Sequence, residues 1–240
     1  MKLRLSLLPH SQEKDTAIIV DILRMTTTSA VLMSRGLSEL YVVADEEEAR
    51  TVAKEKKALL LGERGGLPMA NFDGGNSPIE YLKQDLKGKR AVLCTSNGSV
   101  AVEAASEAKH VLLGSTVNAS AVAHETIKRA ETSITILCAG LSVHKEVSLE
   151  DALGAAVIAR EIQRLTQVEI VGDESLLMLH ALRGLDAPLA DQFRKAKHGA
   201  VVIDLGFEKD LTFAAERNTL QSVAVRKSKN PALFVGVDAG

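Results

Sequence analysis

Short apolar runs alternate along this chain with longer stretches in which apolar positions recur at helical spacing. The runs fall at Ala17–Val20, Leu40–Val43, Ala58–Leu61, Ala91–Cys94, Val111–Leu113, Ile134–Cys138, Val201–Leu205, Val223–Val225 and Leu233–Val235. They are continuous rather than alternating, the pattern of strands covered on both faces. Most stretches between them open on helix-start signals. Asp45 with Glu48, Ser77 with Glu80 and Pro78, and Ser148 with Asp151 each read as a capping box. Gly36 is placed to end the first helix. This alternation predicts an α/β fold, three-layered α/β/α, with a mainly parallel sheet. The last two strands have no helix between them, so they should pair antiparallel around Ser228–Pro231 and make the sheet mixed. No repeat or linker breaks the pattern, and residues 1–240 read as one domain. Residues 62–76 form a long polar stretch, and loops of that kind are often functional.

Composition narrows the classes. A net charge of −2 gives no electrostatic case for nucleic acid or an anionic membrane. Aromatic residues are 3% with no Trp, so the core must be aliphatic and base-stacking platforms are missing. No apolar run approaches the roughly 20 residues of a membrane span, and the opening MKLRLSLLPH is too short for a signal peptide. Cys94 and Cys138 read as reduced, which fits a cytoplasmic home and leaves too few cysteines for structural zinc. A homodimer is compatible with all of this.

In α/β sheets ligands gather at loops beyond the carboxyl ends of strands. Four such places carry chemistry. After the first run, Asp21 and Arg24 precede Thr26, Thr27 and Thr28 at a helix start, where unpaired N–H groups and hydroxyls suit a phosphate. After the third, Glu63 and Arg64 lead into a glycine-rich loop with Asp73, Asn76 and Ser77, and charged pairs are rarely put at a buried strand end without a reason. After the fourth, Thr95, Ser96, Asn97, Gly98 and Ser99 make a polar turn before a helix, equally readable as a plain turn. After the sixth, Cys138 and Gly140 are followed by Glu150 and Asp151 in a first helical turn, where acids are ordinary dipole partners. Asp21, Glu63, Glu150 and Asp151 converging with phosphate donors are what a Mg2+ site needs. Asp21, Glu63 and Asp151 are the catalytic candidates.

Several motifs are absent. There is no Walker A loop and no dinucleotide fingerprint. Neither cysteine has an arginine six residues on, and the first strand lacks D-x-D. His198-Gly199 precedes an expected strand rather than following one, and the histidines show no metal spacing, so each reads as a surface or packing residue.

VDILRMTTT, GERGG, NFDGGNSPIEY, LCTSNGS and CAG…SLEDALGAA, in that order, resemble the 2-phosphosulfolactate phosphatases, with weaker similarity at HGAVVIDLGFEKDL. The resemblance implies Mg2+-dependent hydrolysis of 2-phospho-3-sulfolactate, a small anionic phosphoester. It places Asp21, Arg24 and the threonines in the first motif and Glu63, Arg64, Asp73 and Asn76 in the second. Thr95 to Gly98 fall in the third, and Cys138, Glu150 and Asp151 in the fourth. Met25, Ser96 and Ser99 depart from the family pattern, as does LSVHKEV between Gly140 and Ser148. Two alternatives remain: a phosphatase for a related phosphorylated hydroxy acid, and a non-catalytic phosphometabolite binder. Cys138 is the candidate for a covalent nucleophile. Nearby acids disfavour its thiolate, so attack is assigned to a water and Cys138 to packing.

Overall fold

The computed structural model describes residues 1–10, 13–141, 145–185 and 187–238. The first strand, β1 (Lys2–Ser6), is followed by β2 (Thr16–Val20) and α1 (Met25–Ser34). β3 (Glu39–Val43), α2 (Glu46–Lys56), β4 (Leu59–Arg64) and the two-residue β5 (Leu67–Pro68) come next. α3 (Pro78–Tyr81), β6 (Arg90–Cys94), α4 (Gly98–Ala104), β7 (His110–Gly114), α5 (Ala119–Arg129) and β8 (Ser133–Cys138) continue the alternation. Then follow α6 (Leu149–Leu165), β9 (Glu169–Val171) and α7 (Asp173–Arg183). Three short helices, α8 (Leu189–Lys195), α9 (Lys197–Asp204) and α10 (Glu208–Ala214), lead to a closing hairpin, β10 (Ser222–Ser228) and β11 (Ala232–Asp238).

The strands form one mixed sheet in the order β5-β4-β6-β3-β11-β10-β7-β2-β8-β1-β9. The fold is α/β, as the alternation predicts. Burial explains why the strands read as continuous apolar runs. Ile18 and Val20 of β2 join a core with α5 and α6, while Ala17 and Ile19 face an opposite core with α1 and α4. On β3, Leu40 and Val42 share that second core, and Tyr41 and Val43 pack against α2.

Strand direction reverses across the hairpin. β7 is antiparallel to β10, β10 to β11, and β11 to β3. The parallel set β3, β6 and β4 therefore opposes the parallel set β7, β2 and β8. In a flat sheet their carboxyl ends would lie at opposite edges. Five steps separate β6 from β2, and at roughly 25° each the right-handed twist turns the sheet through more than a right angle. The sheet curls around α1, whose residues Met25 to Met33 are all buried, and the two sets of carboxyl ends meet over the start of that helix.

Several expectations need correction. Val201–Leu205, expected as a strand, lies in α9 and its C-cap: Gly199 and Val202 are buried while Val201 is exposed, a helical period that a short apolar run conceals. β1 and β9 were not expected; β1 alternates and β9 is a three-residue edge. β4 reaches Arg64, so Glu63 and Arg64 end the strand instead of following it. The Asp45 cap forms, accepting from Glu48 N at 2.9 Å. Ser77 and Ser148 make no side-chain cap bond. Gly36 closes α1 with φ 86°, and Leu37 N reaches back to Leu32 O.

Candidate active site

The loops after β2, β4, β6 and β8 and one face of α9 enclose a cleft of about 470 Å³. Its walls include Asp21, Arg24, Glu63, Arg64, Asn76, Thr95, Ser96 and Asn97, all singled out in the sequence, together with Glu146, Lys197, His198 and Val201. Residues 142–144 of the altered LSVHKEV segment lie outside the described residues.

Asp21 directly follows β2. Its backbone is held by Thr26, whose N–H and hydroxyl both donate to Asp21 O, and its Oδ1 accepts from Met25 N at 3.2 Å. Burial pushes its carboxyl up to about 6; His198 pulls it down, as does the Met25 bond, while Glu63 and Glu150 push further upward. The turn after β6 comes very close. A Cβ on Gly98 would lie 2.8 Å from Asp21 Oδ2 and 2.4 Å from Met25 Cε, so only glycine lets this turn close over the acid.

Glu63 is a clasp. Oε1 accepts from Ser96 N at 2.8 Å and Oε2 from Gly66 N at 2.9 Å, which joins the β6 turn to the β4–β5 turn. Asp151 does the same at the other end: Oδ1 accepts from Ile22 N at 2.7 Å and Oδ2 from Gly140 N at 3.0 Å. Burial, then repulsion from Asp21 and Glu150, still holds its carboxyl well above the usual range. Both oxygens of each acid are therefore spent on loops. Glu150 differs. It is completely buried and neither oxygen accepts a hydrogen bond, although Oε1 lies 3.3 Å from His198 Nδ1, an ion-pair contact without hydrogen-bond alignment. Burial alone would lower the imidazole, but contact with Glu150 and the nearby Asp21 raise it. Asn76 Oδ1 is likewise buried and unpaired. The expected metal quartet of Asp21, Glu63, Glu150 and Asp151 is thus not assembled, and among the described residues no group of three or more His, Cys, Asp or Glu is placed to hold an ion.

The cations also sort. Arg24 is buried, 2.8 Å from Asp210 Oδ2, and its guanidinium lies over the Phe207 ring at 4.2 Å. Lys197 reaches Glu146 Oε2 at 2.5 Å. Arg64 leans on Ser96 Oγ (3.2 Å) and Ala44 O (3.1 Å) and has no carboxylate partner among the described residues.

Other expected ligand groups do not reach the cleft. The Thr26, Thr27 and Thr28 hydroxyls are fully buried and donate to Asp21 O, Ile22 O and Asn76 O; they lock the loop. Gly98 and Asp73 are also outside the lining, Asp73 accepting from Leu60 N. Cys138 is fully buried in the core, its thiol pushed well up by burial and then by Asp151. His198 and Asp210 were missed. The first was read against a strand that is a helix, and the second carries no signal but its place in the weaker motif.

The family comparison assigns the class of this α/β protein, a phosphoric monoester hydrolase. A family model described as 2-phosphosulpholactate phosphatase matches residues 3–229. The chain belongs to that family. A protein of Deinococcus radiodurans named probable 2-phosphosulfolactate phosphatase is 39% identical over 221 residues, 91% of this chain and 90% of its own. A protein of Thermus thermophilus with the same name is 34% identical over 232 residues, 95% of this chain and 96% of its own. Among the described residues no helix is long and apolar enough to cross a membrane.

Proposed function

We propose that this chain hydrolyses 2-phospho-3-sulfolactate to 3-sulfolactate and phosphate with Mg2+. The observation that carries the reading is the sorting of charge at the cleft: Arg64 alone of its arginines lacks a carboxylate partner among the described residues, Asp21 in its wall keeps an unspent carboxylate oxygen, and so does Glu150, buried outside the lining. The substrate, with phosphate, carboxylate and sulfonate, matches such a site.

Mg2+ would have to be held by few protein ligands, because among the described residues no group of three or more His, Cys, Asp or Glu is placed to hold an ion. Mg2+ commonly takes one or two carboxylates and fills its octahedron with water and substrate phosphate. Asp21 and Glu150 would hold it, with the unpaired Asn76 Oδ1 as a further oxygen. When bound, the ion shields phosphoryl oxygens and lowers the pKa of a water. Asp21 would hold the ion through one oxygen and orient an attacking water with the other. Arg64 offers a planar fork to one anionic group of the substrate, and the buried Cys138 stays out of the chemistry.

Initial rates on a panel of phosphorylated hydroxy acids test this. We expect the fastest turnover on the sulfonate-bearing member, its loss on exhaustive chelation and its return with Mg2+. Undiminished activity after chelation refutes the metal. A faster carboxylate analogue refutes the substrate.

A further inference from the structure

Arg24 is a charged side chain 4% exposed, and a buried guanidinium needs a partner if it is not to cost several kcal/mol. That partner comes from a distant part of the chain. Asp210, 1% exposed on α10, accepts from Arg24 Nη1 through Oδ2 at 2.8 Å. Its Oδ1 accepts from Ser77 Oγ at 2.6 Å, next to Asn76. Arg24 Nη2 donates to Gly66 O at 2.5 Å, and Phe207, the N-cap of the same α10, lies under the guanidinium plane. Both carboxylate oxygens of Asp210 thus grip loops of the cleft, and the planar fork of Arg24 is held by two hydrogen bonds and a ring face.

We infer that Asp210 is a positioning residue, which acts through Arg24 to aim the guanidinium's remaining N–H groups at an anionic oxygen of the substrate. Ser77 diverts its hydroxyl from capping α3 to Asp210, so the same carboxylate also holds the loop that carries Asn76. α10 also follows α9, which supplies Lys197 and His198 to the cleft. One ion pair therefore registers the helical wall against the loop after β2. The inference rests on the phosphatase reading for the identity of the anion.

A double-mutant cycle tests it. In Asp210→Asn the shape is kept and Arg24 retains an acceptor, but the charge that orients it is lost. KM for 2-phospho-3-sulfolactate should rise about 10-fold or more with a smaller change in kcat, and inorganic phosphate should bind correspondingly more weakly by calorimetry. In an Arg24→Met background, Asp210→Asn should add far less to either value than it does alone, because the main group it positions is gone and only the Ser77 bond remains to be lost. Asp210→Glu should recover part of the lost affinity; an unchanged melting temperature with altered KM separates positioning from folding. Should Asp210→Asn fail to fold, Ser77→Ala takes its place with a smaller rise in KM expected. Additive effects in the cycle, or unchanged phosphate affinity in the folded variant, overturn the inference. A wild type that binds phosphate but does not hydrolyse phosphosulfolactate overturns the substrate assignment and leaves the Asp210 measurement standing, whereas a wild type that does not bind phosphate overturns the inference.

Discussion

Asp21 carries a charge that is costly to the fold, at the residue to which the proposed function gives the chemistry. Burial and neighbouring Glu63 and Glu150 oppose its charge, so its carboxyl sits near 6. A group raised in this way destabilises the folded state at any pH at which it is ionised there. Asn has nearly the same shape and no charge to desolvate. Asp21→Asn should therefore lose about 10²–10⁴ in turnover while melting at the wild-type temperature or above it. A mutant that turns over normally would make Asp21 a structural strand end. Glu63 and Asp151 belong to another kind. Their oxygens answer backbone N–H groups of four loop residues, so replacing either would disorder the cleft before it touched any reaction.

Among the elements, the eight-residue α9 gives the cleft four lining residues. It supplies Lys197, His198, Val201 and Val202 to the cleft from one face. Its position depends on a single missing side chain. A Cβ on Gly199 would meet Phe193 O of α8 at 1.8 Å, a backbone atom that cannot swing aside. Gly199→Ala should push α9 off α8, destabilise by about 1–3 kcal/mol as overpacking does, and raise KM through displacement of Lys197 and His198. Chemical denaturation and steady-state kinetics on one preparation check both effects. Wild-type midpoint and KM together would show that the two helices separate at no cost. Helix caps tell a related story. Ser77 and the acidic Asp151 and Glu80 all have the spacing of capping boxes. In the fold they bind Asp210, Ile22 and Gly140, and Gly75 instead. A polar side chain near a helix start takes whichever buried partner leaves the fewest groups unsatisfied.

At the scale of the whole molecule, Asp15, just before β2 and outside the cleft lining, ties that strand to the turn into β8. Its Oδ2 accepts from Glu131 N, Thr132 N, Thr132 Oγ1 and Ser133 N, which fixes the turn into β8. Burial opposes the charge, but these bonds from Thr132, Ser133 and Glu131 outweigh it and bring the carboxyl down to about 2. A depressed folded-state pKa contributes stability that is complete above the unfolded value near 4 and is lost as pH falls toward 2. Asp15→Asn should cost about 1–2 kcal/mol at neutral pH, in the range of charge-assisted hydrogen bonds at a partly exposed site. The gap to wild type should close between about pH 4 and 2. A gap that stays constant over that window would mean the charge of Asp15 contributes nothing.

Much of this protein is local in origin, and the sequence by itself determined that part. Continuous apolar runs specify strands buried on two faces, Gly36 specifies a helix end, and the lack of a helical stretch before Leu233 specifies a hairpin; each depends on neighbours a few residues away. The clustering of Asp21, Arg24, Glu63, Arg64, Asn76 and Thr95–Asn97 was legible for the same reason, since strand ends are where loops gather. Three things were decided by tertiary structure alone. Whether Val201–Leu205 is strand or helix depends on which side chains meet a core, and four apolar residues within five positions are compatible with either period. Which acids keep free oxygens depends on distant N–H groups at Ile22, Gly66, Ser96 and Gly140. The convergence itself depends on sheet curl. Strands of opposite direction share one cleft only because twist accumulated over many pairings brings their ends together around α1, and no stretch of sequence encodes an angle that all of the strands produce jointly.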